Sequence, residues 1–260
     1  MSAENVLKVA NVGRIRVLTM NRPERRNALS RALKATLTDA VIDADFDRSV
    51  SVIVLTGTGT SFSSGADLKD ARQADEDGGR YRGPLAEADR SLFEVLLDSK
   101  KPVIAALNGP AVAGGCELAL SCCIRIAADT AFLQLPEAKR GMGAHMASVM
   151  LPQMVPPAIA LEWLYTGRRI PLAEAERWGL VNRIVPADTV MDAALEMARE
   201  IASSAPLSLE RMKLTSRKAW GLPLHAGVRL DVGPDVYASE DRKEGARAFL
   251  EKRAPNWQGR

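Results

Sequence analysis

Two glutamates and two glycine-bearing loops carry the chemistry this sequence is able to do. Gly114 and Gly115 stand directly before a helix-compatible run, 116–121. Peptide N–H groups at a helix start have no intrahelical acceptor, so those of this turn are available to meet a developing negative charge. Glu117 falls in the first helical turn, and Glu137 follows twenty residues later, after an apolar, strand-like stretch at 132–136. A helix, a strand and a turn between them would bring both carboxylates to one pocket. Two carboxylates facing a shared water or substrate proton suit acid–base work when their environments set their protonation states apart. An acidic residue in a first helical turn also complements the helix dipole, so a purely structural role for Glu117 stands beside the catalytic one. The second loop is 61–69, SFSSGADLK. Gly65 permits close approach of backbone to ligand, and the N–H of Ala66 is the natural second donor opposite Gly114. The alternative there is a simple strand-to-helix turn.

Other chemistries are excluded by what is missing. No Gly-Lys-Ser/Thr follows a glycine loop, and neither GxGxxG nor GxSxG occurs, which argues against a P-loop, a dinucleotide-binding dehydrogenase and a serine hydrolase. His145 and His225 are the only histidines, too few for a multi-histidine metal site, so acid–base work falls to carboxylates. Cys116, Cys122 and Cys123 form no CxxC pair and read as small core residues. Of 260 residues, 35 are Lys or Arg and 32 Asp or Glu, for a formal charge of +3, with 5% aromatic content. That balance disfavours a nucleic-acid module and whole-surface attraction to membranes, and any anionic ligand must be held by a local basic patch. The first residues lack the basic start and apolar run of a signal peptide, and no stretch of about 18 apolar residues occurs. A cytoplasmic protein without a membrane partner is expected.

The elements that must position these groups alternate between short β-branched runs and longer helical patterns. Residues 14–20 read as a strand and 30–47 as a helix with an apolar stripe at Leu33, Leu37, Ala40, Val41 and Ala44. Residues 51–56 and 102–107 read as buried strands that end at glycine-bearing loops, where α/β proteins place ligands. The charged stretch 69–90 reads as a mobile loop or broken helix near the site, or as a solvated connection. Beyond about Pro186 the pattern is helical, with helices expected at 190–203, 206–219 and 239–253, Pro206 in a first turn and Ser239 as a cap. The expectation is an α/β core over 1–187 and a helical region over 188–260.

Taken in order, MNRPERRNALS, VLTGTGTSFSSGADLK, KPVIAALNGPAVAGGCELALSCCIRIAADTAFLQLPEAKRG, AERWGLVNRIVP and SEDRKEGARAFLEKRAPNW resemble the crotonase superfamily, specifically its enoyl-CoA hydratases, over nearly the whole chain. The resemblance implies a spiral of ββα units with a C-terminal helical domain, assembled as a homotrimer or a dimer of trimers. It implies that Ala66 and Gly114 supply the oxyanion hole for a thioester, and that Glu117 and Glu137 handle water and proton. The substrate would be an acyl-CoA thioester, with no metal or redox cofactor. Contacts to CoA and acyl chain would come from Glu24, Arg25, Arg26 and Ala28, from Ser64, Gly65, Ala66, Asp67, Leu68 and Lys69, and from Gly114 and Pro136. Phe249 and Lys252 fit the family's C-terminal Phe-x-x-Lys, which in several relatives reaches the CoA of a neighbouring subunit; a solvated helix face accounts for the basic residues of this tail nearly as well.

The implied reaction is hydration of a 2-trans-enoyl-CoA to the 3-hydroxyacyl-CoA. The rivals are another crotonase reaction, such as enoyl-CoA isomerisation, and a catalytically silent acyl-CoA binder. One segment departs from the family pattern: after Pro136-Glu137, residues 140–148 (RGMGAHMAS) are one residue shorter than usual, and His145 with Met142, Met146 and Met150 replaces small residues. This points to an altered or narrower acyl cavity, with core filling the plainer role for the methionines and packing or capping for His145.

Overall fold

The computed structural model of the chain describes residues 5–67, 72, 76 and 90–260. Along it run β1 (Leu7–Val12), β2 (Ile15–Met20), α1 (Arg31–Phe46), β3 (Val52–Gly57), α2 (Leu92–Asp98), β4 (Val103–Leu107), β5 (Ala111–Val112), α3 (Gly114–Ser121), β6 (Ile124–Ala128) and β7 (Phe132–Gln134). There follow α4 (His145–Met154), α5 (Pro157–Thr166), β8 (Arg169–Pro171), α6 (Leu172–Arg177), β9 (Arg183–Val185), α7 (Val190–Ala202), α8 (Pro206–Lys218), α9 (Leu224–Gly227) and α10 (Glu240–Leu250). Single 3-10 turns at Pro23–Arg25 and Glu137–Arg140 complete the path.

A six-stranded sheet in the order β1-β2-β3-β4-β6-β9 forms the centre. Only β1 and β2 are antiparallel; the remaining neighbours are parallel. Strand β3 is buried along its whole length because both faces of the sheet are covered. On one face Ile53 and Leu55 pack with Leu33, Leu37 and Val41 of α1, Leu96 of α2 and Leu118 of α3. On the other, Val52 and Val54 join Ile104, Ala106, Ile126 and Ala128 beneath Val190, Ala194 and Ala198 of α7. The first helix of the 188–260 region thus closes the sheet's second face. A smaller sheet, β5-β7-β8, stands apart from the first.

The predicted helices and strands are present with ends shifted by one to three residues. Ser30 caps α1 by accepting from Leu33 N–H, and Ser239 caps α10 by accepting from Arg242 N–H, each filling an orphan donor. Helix α10 stops at Leu250 rather than 253, and Lys252 takes a positive φ of 53° just beyond it. Strand β1 has no counterpart in the periodicity: five of its six residues are not buried, as befits an edge strand. The segment 68–89, apart from Arg72 and Glu76, lies outside the described residues, and with it Leu68, Lys69 and nearly all of the stretch read as a mobile loop. No helix among the described residues is long and apolar enough to cross a membrane.

Candidate active site

The two loops expected to grip CoA are zipped together edge to edge. Ser64 N–H donates to the Arg26 carbonyl at 2.9 Å and Leu29 N–H to the Gly65 carbonyl at 2.8 Å. Ser63 Oγ donates to the Asn27 carbonyl at 2.8 Å. Arg26 and Asn27 both have positive φ, 50° and 52°, a conformation asparagine tolerates better than most residues. Asn27 is fully buried, and both its donors are used: its amide donates to the carbonyls of Thr58 and Ser61, and its Oδ1 accepts from Arg22 N–H. Arg22 in turn donates to the Ala28 carbonyl and pairs with Asp67 at 2.9 Å.

This zipper sets Gly65 against the start of α3. Gly65 has φ of +87°, and a Cβ on it would lie 2.8 Å from both the Ala113 Cβ and the Val112 carbonyl oxygen and 2.9 Å from the Gly114 nitrogen. On the other side, a Cβ on Gly114 would lie 3.7 Å from the Ala66 nitrogen. The two peptide nitrogens therefore flank one small gap, and neither N–H has a protein acceptor among the described residues. Ala113 makes the turn between β5 and α3 with φ 54°, ψ −130°, a conformation costing about 1–3 kcal/mol in a non-glycine residue. Its own N–H is anchored to the Gln134 carbonyl of β7 at 2.8 Å.

Helix α3 then carries Glu117 inward, leaving it 4% exposed, and the 3-10 turn after β7 does the same for Glu137, 6% exposed. Burial pushes both carboxyl groups up. For Glu117 this is opposed by the amides of Ala147 and Met146 at the head of α4 and by the charge of His145; Ala147 N–H donates to Oε1 at 3.0 Å. Glu137 is pushed up to about 7, by burial first and then by the Glu117 charge, with its own peptide N–H and Arg140 opposing. Its Oε2 is buried without a hydrogen-bond partner among the described residues. The thiol of Cys116, which feels both carboxylates, is fully buried and free, as is that of Cys122, while Cys123 is half-buried. Behind α3 the buried Arg125 donates to the carbonyls of Leu180, Ala119 and Cys122, placing a cation at the negative end of the helix.

A cleft of about 650 Å³ is lined by Arg25, Arg26, Ala28, Ser64, Ala66 and Asp67 from the zipped loops, and by Val112, Phe132, Gln134, Arg140 and Arg169 across from them. Glu24 is exposed on the same turn but is not in the lining. Gly114, Glu117, Pro136 and Glu137 also lie outside it, whereas Arg140, at the end of the Glu137 turn, is in the lining. Phe249 is 83% exposed on α10, and neither it nor Lys252 borders the cleft. Several cations of that tail are spent on neighbours, Arg253 on Glu244 and Glu251 and Lys243 on Glu240. Of the altered segment, Met146 and Met150 are core residues, whereas Met142 and His145 are exposed.

The family model described as enoyl-CoA hydratase/isomerase matches residues 11–260. The chain belongs to the enoyl-CoA hydratase/isomerase family. Among curated relatives, the carnitinyl-CoA dehydratase of Salmonella typhi is 39% identical over 262 residues, covering 98% of each chain. That of Citrobacter koseri is 40% identical, covering 95% of this chain and 96% of its own. Among solved structures, an enoyl-CoA hydratase from Mycobacterium tuberculosis superposes with a TM-score of 0.88 at 35% identity, over 99% of this chain and 100% of that one. One from Mycobacterium marinum gives 0.87 at 33%, with the same coverage. The fold is thus the crotonase fold, and the chain is a crotonase-family enzyme of the hydratase/isomerase type.

Within this family fold, Asn27 and Arg125 were not singled out by sequence reasoning. Asn27 sits inside the NRPERRNALS motif, and asparagine's tolerance of positive φ is the signal that would have found it. No local signal marks Arg125, whose partners lie on α3 and in the loop before β9.

Proposed function

We propose that the enzyme adds water across the double bond of a 2-trans-enoyl-CoA, with Glu117 as the base and Glu137 as the acid. The observation that carries this is a pair of buried carboxyl groups in unlike surroundings, both pushed up by burial. Glu117 accepts a peptide N–H, which favours its carboxylate. Glu137 has an unpartnered buried oxygen and a pKa near 7, which favours its acid. In the proposed scheme the thioester oxygen accepts from the Ala66 and Gly114 N–H groups. Glu117 removes a proton from water as its oxygen bonds to C3, the π electrons move onto the thioester oxygen as an enolate, and Glu137 delivers its proton to C2. Proton return from Glu117 to Glu137 restores the starting state. No metal or redox group takes part. Each oxyanion donor is worth about 10²–10³ in rate and each acid–base group about 10²–10⁴.

Loss of the conjugated-thioester absorbance with crotonyl-CoA and longer 2-trans-enoyl-CoAs, run in heavy-oxygen water, tests the scheme. Solvent oxygen in the product and at least a hundredfold loss of turnover in Glu137→Gln are expected. Conversion of a 3-enoyl-CoA without oxygen incorporation would make the enzyme an isomerase, and saturable binding without turnover would make it a silent acyl-CoA binder. The full-length relatives named carnitinyl-CoA dehydratase favour a second reading, the same C2–C3 chemistry run as dehydration of a 3-hydroxyacyl-CoA with a quaternary ammonium tail. A higher kcat/KM on carnitinyl-CoA than on 3-hydroxybutyryl-CoA would select it.

We further propose assembly as a homotrimer or dimer of trimers. What supports this is the set of large apolar side chains of the C-terminal region, Leu224, Val228, Tyr237, Phe249 and Leu250, all at least 70% exposed. In such an assembly Phe249 and Lys252 would complete the CoA site of a neighbour. Light scattering gives the mass that decides it.

A further inference from the structure

We infer that the first turn of α4 is a positioning device for the catalytic base: the peptide N–H of Ala147 docks the Glu117 carboxylate, and Glu117 in return is the missing N-terminal cap of α4. The inference rests on the role proposed for Glu117 and deepens it.

Helix α4 begins without help from its own sequence. Ala144 at its N-cap has no side-chain oxygen to offer, and no side-chain cap bond is present there. The orphan donor of Ala147, third residue of the helix, is satisfied from across the core, by Glu117 Oε1 at 3.0 Å. Ala144, Met146 and Ala147 are all buried, so water is a poor substitute. One carboxylate thereby does two jobs, and α4 holds its charge in place. The other groups that feel or face Glu117 do not do this. Glu137, on its own 3-10 turn, opposes ionisation of the pair, and Cys116 on α3 is a neutral thiol whose ionisation is suppressed by burial and by both glutamates. Arg125 lies at the far end of α3 and spends its donors on carbonyls. His145 acts in the same sense as the amides but is exposed to solvent, where its field is screened. The segment at 140–148 that departs from the family pattern therefore bears on the base through its backbone, whatever its side chains do to the acyl cavity.

Proline at 147 isolates the effect, because a first-turn residue has no intrahelical partner for its N–H to lose. In Ala147→Pro the carboxylate loses one donor, so its pKa rises. The acid limb of the kcat/KM profile should move up by about one pH unit, the shift expected from one hydrogen bond to a charged group. An unmoved acid limb in folded Ala147→Pro overturns the inference. Amide exchange gives a readout independent of activity and of that variant's folding. The Ala147 amide should be protected in the wild type and in Glu117→Gln, whose side-chain carbonyl still accepts, and should exchange at least tenfold faster in Glu117→Ala. Equal protection in the two Glu117 variants overturns the clamp. If they differ as expected while no enoyl-CoA is hydrated by the wild type, the clamp stands and the proposed function falls.

Discussion

Replacing Gly65 by alanine tests whether the gap between the two loops is the oxyanion hole. The new methyl would meet the Val112 carbonyl oxygen and the Ala113 Cβ at 2.8 Å and the Gly114 nitrogen at 2.9 Å, where ordinary contact begins at 3.4 Å. Two of these three atoms are backbone, so the loops must part by about half an ångström or more, and the donors on Ala66 and Gly114 separate with them. A misplacement approaching 1 Å costs on the order of 10² in rate, and loss of one donor about 10²–10³. We therefore expect kcat/KM to fall at least a hundredfold. Forcing alanine to φ of +87° adds a conformational cost of about 1–2 kcal/mol. Gly179→Ala supplies the control: Gly179 also has positive φ, +75°, but a Cβ there meets nothing within 4 Å. That variant should melt a few degrees lower and keep its activity. The assay is the loss of conjugated-thioester absorbance, with thermal melts beside it. A folded Gly65→Ala enzyme within threefold of wild type would refute the placement of the oxyanion hole.

Three further outcomes follow from the same geometry. The pKa of Glu137 is raised in the folded state to about 7 from an ordinary value near 4.3, so the proton it holds stabilises the fold at acid pH and that contribution is lost as pH rises through about 7. The melting temperature should fall between pH 5 and 8, less so in Glu137→Gln, and wild-type kcat should decline above pH 7 if this group is the acid. Lys213 on α8 is buried and donates to the carbonyls of Leu96 and Lys101 at 3.1 and 2.9 Å; Lys213→Met should cost about 2 kcal/mol through the orphaned carbonyls, read as a lower denaturant midpoint. Asn27→Ala removes the three bonds made by the Asn27 side chain and should raise KM for acyl-CoA more than it lowers kcat, as steady-state kinetics will measure.

Local pattern alone determined much of this protein. The continuous apolar runs of β3 and β4, the stripe on α1 and the caps Ser30 and Ser239 mark their elements because burial on two faces, burial on one stripe and an orphan N–H each select residues within a few positions of one another. Gly114 before a helix and Glu117 in its first turn were legible for the same reason. Strand β1 and the three-residue strands β8 and β9 were not, since an exposed edge and so short a strand leave no period to read. The pairing of Gly65 with Gly114, the docking of Glu117 on α4 and the bonds from the Asn27 amide to the Thr58 and Ser61 carbonyls join residues 30 or more positions apart, and no local rule reaches that far. The protonation states belong wholly to the tertiary structure. Glu117 and Glu137 are the same residue type and burial pushes both up; what distinguishes them is the α4 peptide donor on Glu117 and, for Glu137, the neighbouring Glu117 charge.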